Sequence, residues 1–156
     1  CLMHLFEENI KNLGLNIPDL PKALANYVPY KIVGKTMYIS GQAPVKNGEI
    51  IYKGKVGLDI KVEDGIDAAK LCVSNIIAAV KTGLEYDWDK LDCFVKLTGY
   101  VNCQDNFTDQ PKIINGASDM LVDIFGDQGR HSRVAVGSNA LPLGIAVEID
   151  AIVQLR

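Results

Sequence analysis

Two kinds of hydrophobic period alternate along this chain, and their order limits the folds that it can form. Residues 64–83 and 111–125 repeat apolar side chains at the spacing of an α-helix that buries one side. Around them lie short runs rich in β-branched and aromatic residues, which favour strands. The order of strands, helix, strand, helix and strands predicts an α+β fold, with two long helices packed on one face of a single mixed β-sheet.

A shorter helix is predicted ahead of this core. Residues 3–13 carry apolar side chains at roughly helical spacing, and Gly14 follows as a stop signal. The proline-rich stretch after it is typical of an extended lead-in. Because no repeat or linker divides the chain, we predict one domain over residues 1–156, with the N-terminal helix and lead-in in residues 1–26 and the core in residues 27–156.

Turn and cap residues mark the limits of the remaining elements. The runs YKIVG and TMYISG meet at Gly34-Lys35, which predicts a hairpin, and the Asn47-Gly48 turn precedes a further short strand in EIIYKGKV. Asp64 is suited to cap the first long helix, and Pro111 to its place in the first turn of the second. The other predicted strands are KLDCFVKLTGYVN, RHSRVAV and AVEIDAIVQL.

Composition and charge argue against several classes of protein. The formal net charge of -3 and a pI of about 5.3 disfavour a broad nucleic-acid-binding face, which needs clustered Lys and Arg. No apolar run reaches the roughly 18 residues of a membrane span, and the first ten residues lack the layout of a signal peptide. Four cysteines without a CxxC pair, and only two histidines, disfavour a metal site or a disulfide framework. We therefore predict a cytoplasmic protein with neither nucleic-acid nor membrane partners.

The predicted last strand carries two acids. Apolar residues take every second position from Val147 to Leu155, so Glu148 and Asp150 share the other face with Ile152. The acids either are solvated on a half-exposed strand or line a cleft, and the strand alone favours solvation. If both faces of the sheet carry apolar residues, two helices cannot cover them, and self-association is the simplest way to bury the remainder.

Four stretches in order, ISGQAP, an alanine-rich helix, FVKLTGYV and PLGIAVEIDAIVQL, resemble the Rid family of reactive intermediate deaminases, also called YjgF-like proteins. The resemblance covers residues 27–156. It implies a chorismate-mutase-like α+β fold, assembled as a homotrimer with clefts between subunits. It also implies hydrolysis of small enamines and imines to a 2-oxo acid and ammonia, without metal or organic cofactor.

The resemblance assigns site residues by position. Glu148 matches the glutamate that activates the attacking water, a role that a partly desolvated carboxylate would suit. Four further residues match the lining of the same cleft: Tyr27, Ser40, Gly41 and Asn115. Each also has an ordinary structural interpretation, as an interface tyrosine, a strand end or a solvated helix position. Asp150 is given only a structural or interface role.

One position departs from the family pattern. The deaminases place an arginine where this chain has His131, and an imidazole cannot bind a carboxylate through two parallel hydrogen bonds. Arg133 lies on the same face two residues later and is a better substitute than Arg130. A structural role for His131 remains equally open. The stretches GSNA and NFTDQPKI also depart, which puts the substrate in more doubt than the fold.

Two functions therefore remain. The first is a cofactor-free hydrolase of a small enamine or imine, with Glu148 directing the water. The alternative is a non-catalytic trimeric protein of the same fold, which binds a small molecule or has a regulatory role. The acidic pI disfavours a ribonuclease. Cys93 and Cys103 lack an evident histidine base, which disfavours either one as a nucleophile.

Overall fold

The computed structural model describes residues 4–20 and 25–156. Its helices are α1 (Leu5–Asn12), α2 (Val62–Gly83) and α3 (Gln110–Phe125). Its strands are β1 (Tyr30–Val33), β2 (Thr36–Gln42), β3 (Val45–Lys46), β4 (Glu49–Ile50), β5 (Leu91–Asn102), β6 (Ser132–Ser138) and β7 (Val147–Leu155). Short 3₁₀ turns occupy Trp88–Lys90, Gly126–Gly129 and Pro142–Gly144.

Five strands form one mixed sheet in the order β1-β2-β7-β5-β6. The pairs β1–β2, β2–β7 and β7–β5 are antiparallel, whereas β5 and β6 are parallel because the crossover through α3 returns the chain to the same end of the sheet. The strands β3 and β4 form a separate two-stranded ribbon. The α+β class and the mixed sheet were both predicted correctly.

The long helices pack closely because small residues lie where they meet. A side chain on Gly116 of α3 would come within 2.7 Å of the Ile66 carbonyl oxygen on α2, so only glycine fits there. On the side facing the sheet, the thiol of Cys72 in α2 donates to the Val147 carbonyl of β7. The helix α2 begins two residues earlier than predicted, and Asp64 caps it by reaching back to the Lys61 amide at 3.3 Å.

The N-terminal helix α1 is attached to the core through both apolar and polar contacts. Phe6 and Ile10 are buried, and Phe6 joins an aromatic cluster with Trp88 and Phe125. The carboxylate of Glu7 accepts from the Trp88 indole at 2.9 Å and pairs with Lys81. The helix was predicted over residues 3–13; residue 3 and part of the lead-in, residues 21–24, lie outside the described residues.

The predicted strand after Asn47-Gly48 is much shorter than its sequence pattern indicated. Only Glu49–Ile50 is extended and paired as β4. Tyr52 and Gly54 then adopt positive φ values of 63° and 112°, which a continuous strand cannot accommodate. The chain instead forms a loop, which is bound to the end of the sheet through the Tyr52 carbonyl and the Ala146 amide.

Candidate functional site

The two acids of β7 lie on the sheet face that points away from α2 and α3, which we call the outer face. Val147, Ile149 and Ala151 are buried towards the helices, and Glu148 and Asp150 alternate with them and are partly buried. Across the neighbouring strand, Tyr100 pairs with Glu148 and Thr98 pairs with Asp150. The alternation read from the sequence is therefore present in the structure.

A β-bulge in β2 brings Gly41 under Glu148. Ile39 pairs with Ala151 and Gln42 pairs with Ile149. Two residues of β2, Ser40 and Gly41, therefore lie opposite one residue of β7, Asp150. A Cβ on Gly41 would lie only 2.7 Å from the Glu148 Oε1 atom. Glycine thus leaves the space in which the carboxyl group lies directly against the backbone.

The surroundings of the two acids disfavour their ionised forms. Burial raises the pKa of Glu148, and the neighbouring charge of Asp150 raises it further. Burial also raises the pKa of Asp150, although its hydrogen bonds with Thr98 and the positive charge of Lys96 oppose that shift. A carboxylate with a raised pKa is a stronger base, so Glu148 is better suited than a solvated glutamate to take a proton from water.

Ser40 connects the bulge to the segment that carries Tyr27. Its hydroxyl donates to the Val28 carbonyl at 2.6 Å, and its amide donates to the Pro29 carbonyl at 3.0 Å. Beside these contacts lies a groove of about 490 Å³, which we call the tyrosine groove, lined by Asn26, Tyr27, Val28, Lys31, Tyr38, Ile39 and Ser40. Tyr27 and Ser40 therefore line one groove, and Gly41, the residue after Ser40, lies against Glu148.

His131 and Arg133 point to the other side of the sheet, where α3 packs. Both contact Ser118 of α3. The Ser118 hydroxyl lies 2.9 Å from His131 Nε2, and Arg133 Nη1 donates to the same hydroxyl oxygen at 3.1 Å. His131 Nδ1 lies 2.6 Å from the Gly129 carbonyl oxygen, which can only accept. Nδ1 therefore carries the proton in neutral His131, and the Ser118 hydroxyl donates to Nε2.

Asn115 belongs to this second group. It is exposed on α3, between Ser118 and Pro111, whose carbonyl accepts from Arg133 Nη2 at 3.3 Å. One chain thus holds the predicted site residues in two groups. The outer-face group contains Tyr27, Ser40, Gly41 and Glu148, and the helix-side group contains Asn115, His131 and Arg133.

Two residues that sequence reasoning missed support these groups. Ser118 is the shared partner of His131 and Arg133, and the only hint of it in the sequence is a hydroxyl three residues after Asn115. Asn75 is a fully buried amide in α2 that donates to the Ala43 carbonyl at 3.0 Å and to the Val45 carbonyl at 3.2 Å. Asn75 thereby fixes the segment that follows the Gly41 bulge. Its position could have been noticed in the sequence, because it is a polar residue among the apolar residues of α2.

The remaining candidate features have other roles. Burial raises the pKa of the Cys93 thiol, which disfavours the reactive thiolate. The stretch GSNA is held by Lys55, whose ammonium group contacts the Asn139 carbonyl and the Asn102 side chain. Within the described ranges, no three His, Cys, Asp or Glu side chains are grouped to hold a metal ion. None of the helices in those ranges has the length and apolar character to cross a membrane.

Comparison with known proteins agrees with this fold. The family model described as "YjgF/chorismate mutase-like, putative endoribonuclease" matches residues 7–153. Protein TCP17 of Trypanosoma cruzi is 37% identical over 149 residues, which are 95% of this chain and 92% of that protein. A RutC family protein of Pyrococcus horikoshii is 30% identical over 86% of this chain and 90% of its own length.

A solved structure is similar over nearly the whole chain. The crystal structure of Atu1372, a protein of unknown function from Agrobacterium tumefaciens, superimposes with a TM-score of 0.92 at 42% identity, covering 97% of this chain and 93% of that one. Because the family model matches almost all of the described residues, the chain belongs to the YjgF/chorismate mutase-like family, which is also called the Rid family.

Proposed function

We propose that this protein hydrolyses a small enamine or imine metabolite and that Glu148 directs the attacking water. The observation that carries this proposal is the position of the Glu148 carboxyl group, which lies against the Gly41 backbone in a partly buried place that raises its pKa. In the imine form, Glu148 takes a proton from water while the water oxygen bonds to the imine carbon, the π electrons of the carbon–nitrogen double bond move to nitrogen, and Glu148 returns its proton to that nitrogen. As the carbon–nitrogen bond of the resulting carbinolamine breaks, Glu148 transfers the hydroxyl proton to the leaving nitrogen, which releases ammonia and leaves a carbonyl compound.

The cleft in this proposal lies between subunits of a homotrimer. The outer-face and helix-side groups occupy opposite sides of one sheet, so one chain cannot direct both at one ligand. A neighbouring copy that presents its helix side to this outer face would complete the site. Apolar side chains on the outer face support such contact, since Tyr38, Val134 and Val136 are 49%, 43% and 39% exposed.

In this cleft the ligand's negative charge is bound by Arg133 rather than by His131. Ser118 and the Pro111 carbonyl occupy one donor on each terminal nitrogen of Arg133. Its remaining N–H groups have no acceptor among the described residues and can bind a ligand. Both ring nitrogens of His131 already have partners within the chain.

The described cysteines are free thiols, which is consistent with a cytoplasmic setting.

The first test is hydrolysis of imines that an amino-acid oxidase generates in the assay. We expect the wild-type protein to accelerate loss of the imine and Glu148→Gln to abolish the acceleration, whereas Glu49→Gln, an exposed acid on β4, should have no effect. Equal acceleration by the wild type and Glu148→Gln would refute the assigned role of Glu148.

The second test asks whether the site is shared between copies. Glu148→Gln and Arg133→Met would each be inactive alone. In a refolded one-to-one mixture, about one quarter of the intersubunit sites would combine an intact Glu148 with an intact Arg133 from different chains. Recovery of activity near that level supports a shared cleft, and its absence from mixed trimers that have formed would contradict it.

A second candidate function is binding without turnover. One observation in the helix-side group favours it. His131 replaces the arginine that the family's deaminases use to bind a carboxylate, and both of its ring nitrogens are hydrogen-bonded within the chain. Under this alternative, a folded trimer would bind small 2-oxo acids without accelerating hydrolysis of any imine. The Glu148→Gln variant would then retain the affinity of the wild type.

A further inference from the structure

We infer that the tyrosine groove binds a second, anionic group of the ligand through Lys31, at a distance from the carbon that water attacks. This inference rests on the proposed function, because it takes the reacting carbon to lie beside Glu148. It narrows the ligand to small molecules with a terminal carboxylate or phosphate. Lys31 then acts as a specificity-determining residue.

Along β2, a residue that lines the groove directly precedes the residue that contacts Glu148. Lys31 and Tyr38 are directly paired across β1 and β2, so their side chains lie on the same face. Ser40 lies two residues after Tyr38 and also lines the groove. The next residue, Gly41, is the one against which the Glu148 carboxyl group lies. In this inference, a ligand in the groove extends past Ser40 to the carboxyl group of Glu148.

The groove favours negative charge. Among the described residues, its lining contains one cation and no carboxylate, and its other polar side chains belong to Asn26, Tyr27, Tyr38 and Ser40. Lys31 takes part in none of the five ion pairs found among the described residues. Its ammonium group is thus available to a ligand, and the phenols of Tyr27 and Tyr38 can donate to the same anion. The Ser40 hydroxyl already donates to Val28.

The separation along β2 decides which group of the ligand Lys31 can reach. Tyr38, the partner of Lys31, precedes Gly41 by three residues, which span roughly 10 Å of strand. A lysine side chain extends about 6 Å, so its ammonium group remains several ångströms from the Glu148 carboxyl group. A carboxylate bonded directly to the reacting carbon lies only about 1.5 Å from it. Lys31 therefore binds a group at least two or three bonds farther along the ligand.

Binding of stable 2-oxo acids to the assembled protein tests this inference. The probes 2-oxoglutarate and 2-oxopentanoate have the same five-carbon chain and differ in the terminal carboxylate, and 2-oxo-4-phosphonobutanoate supplies a phosphate-like end. Dissociation constants would be measured by calorimetry for the wild type, Lys31→Met and Lys35→Met. Lys35 is the matched control, because it lies in the same β1–β2 hairpin but outside the groove.

We expect the wild type to bind the better of the two probes with charged ends at least about tenfold more tightly than 2-oxopentanoate, as is typical of a charge-assisted hydrogen bond. Lys31→Met should remove this preference and Lys35→Met should retain it. The better probe identifies the anionic end as carboxylate or phosphate. No preference in the wild type, or an unchanged preference in Lys31→Met, would overturn the inference.

The Glu148→Gln variant separates this inference from the proposed function. If Glu148→Gln hydrolyses imines as fast as the wild type, the assigned role of Glu148 is wrong, whereas the affinity ratio between probes still reports on Lys31. If Glu148→Gln is inactive but retains the wild-type ratio, both proposals are supported. Lys31→Met should lose the affinity ratio between charged and uncharged probes but still hydrolyse an imine without a charged end at the normal rate. That result would show that Lys31 determines specificity and does not take part in hydrolysis.

Discussion

Replacing Gly41 with alanine should reduce activity without unfolding the protein. The new Cβ would lie 2.7 Å from Glu148 Oε1 and 3.1 Å from Glu148 Cδ, whereas ordinary contact begins at 3.4 Å. The carboxyl group must therefore move by about 0.7 Å. The backbone tolerates the change, because Gly41 is not among the residues with positive φ.

The size of the two effects follows from what has to move. A carboxyl group at the end of a flexible side chain can rotate away for about 0.5–1.5 kcal/mol, so the free energy of unfolding should fall by no more than that. A displacement approaching 1 Å in a catalytic group lowers the rate by up to about 100-fold. We therefore expect kcat/KM for imine hydrolysis to fall about 10- to 100-fold.

Gly99 provides the matched comparison, because it lies on β5 and faces α3. A Cβ on Gly99 would come within 2.5 Å of Ile114 Cδ1 and 2.7 Å of its Cγ1, in a closed part of the core. Overpacking of this kind costs about 1–3 kcal/mol. Gly99→Ala should thus lower the free energy of unfolding while kcat/KM per folded protein is maintained.

The assay is steady-state hydrolysis together with denaturant unfolding, with both variants at the same protein concentration because the stability of any oligomer depends on concentration. A Gly41→Ala variant that keeps kcat/KM within about twofold of the wild type would refute the reasoning. So would a Gly41→Ala variant that loses as much stability as Gly99→Ala while its folded fraction remains fully active.

Two further changes test the surroundings of Glu148. Burial raises the pKa of Glu148 above its ordinary value of 4.5, so the folded protein binds the carboxyl proton more tightly than the unfolded chain does. The free energy of unfolding therefore falls as pH rises from 4.5 through the raised pKa of folded Glu148. Glu148→Gln should therefore melt at a higher temperature than the wild type near neutral pH, and thermal melts should show the advantage shrinking towards about pH 4; an advantage that grew with acid would contradict the assignment. Asn75→Ala should cost about 1–3 kcal/mol in urea unfolding, because the Val45 carbonyl loses its side-chain donor and the Ala43 carbonyl keeps only the Val45 amide. An unchanged urea midpoint would show that these two hydrogen bonds do not stabilise the bulge.

Local periodicity was sufficient to predict much of this fold. Residues 147–155 alternate so regularly that the face of each acid followed from parity alone, and both long helices were found from their apolar spacing. These features depend on residues close in sequence. The turn at Gly34-Lys35 was likewise predicted, since two residues join β1 directly to β2.

Features that depend on a distant partner could not be read in this way. The bulge at Ser40-Gly41 exists only relative to the register of β7, more than a hundred residues later. The contact of Ser118 with His131 and Arg133 depends on the rotation of α3 against β6, which no local pattern specifies. Tyr52 was assigned to a strand because tyrosine favours strands, yet tertiary contacts hold it at positive φ.

The alternation of side chains along β6 explains why the predicted site residues lie on opposite faces of the sheet. Arg133 occupies an inward position of that strand, where Ser118 receives its guanidinium group, and Val134 points outward. A shift of one residue would place Arg133 on the outer face, but it would also bury Val134 against α3 and leave Ser118 without its donor. The packing of α3 therefore keeps Arg133 on the side opposite Glu148, and a site that needs both residues requires a second copy of the chain.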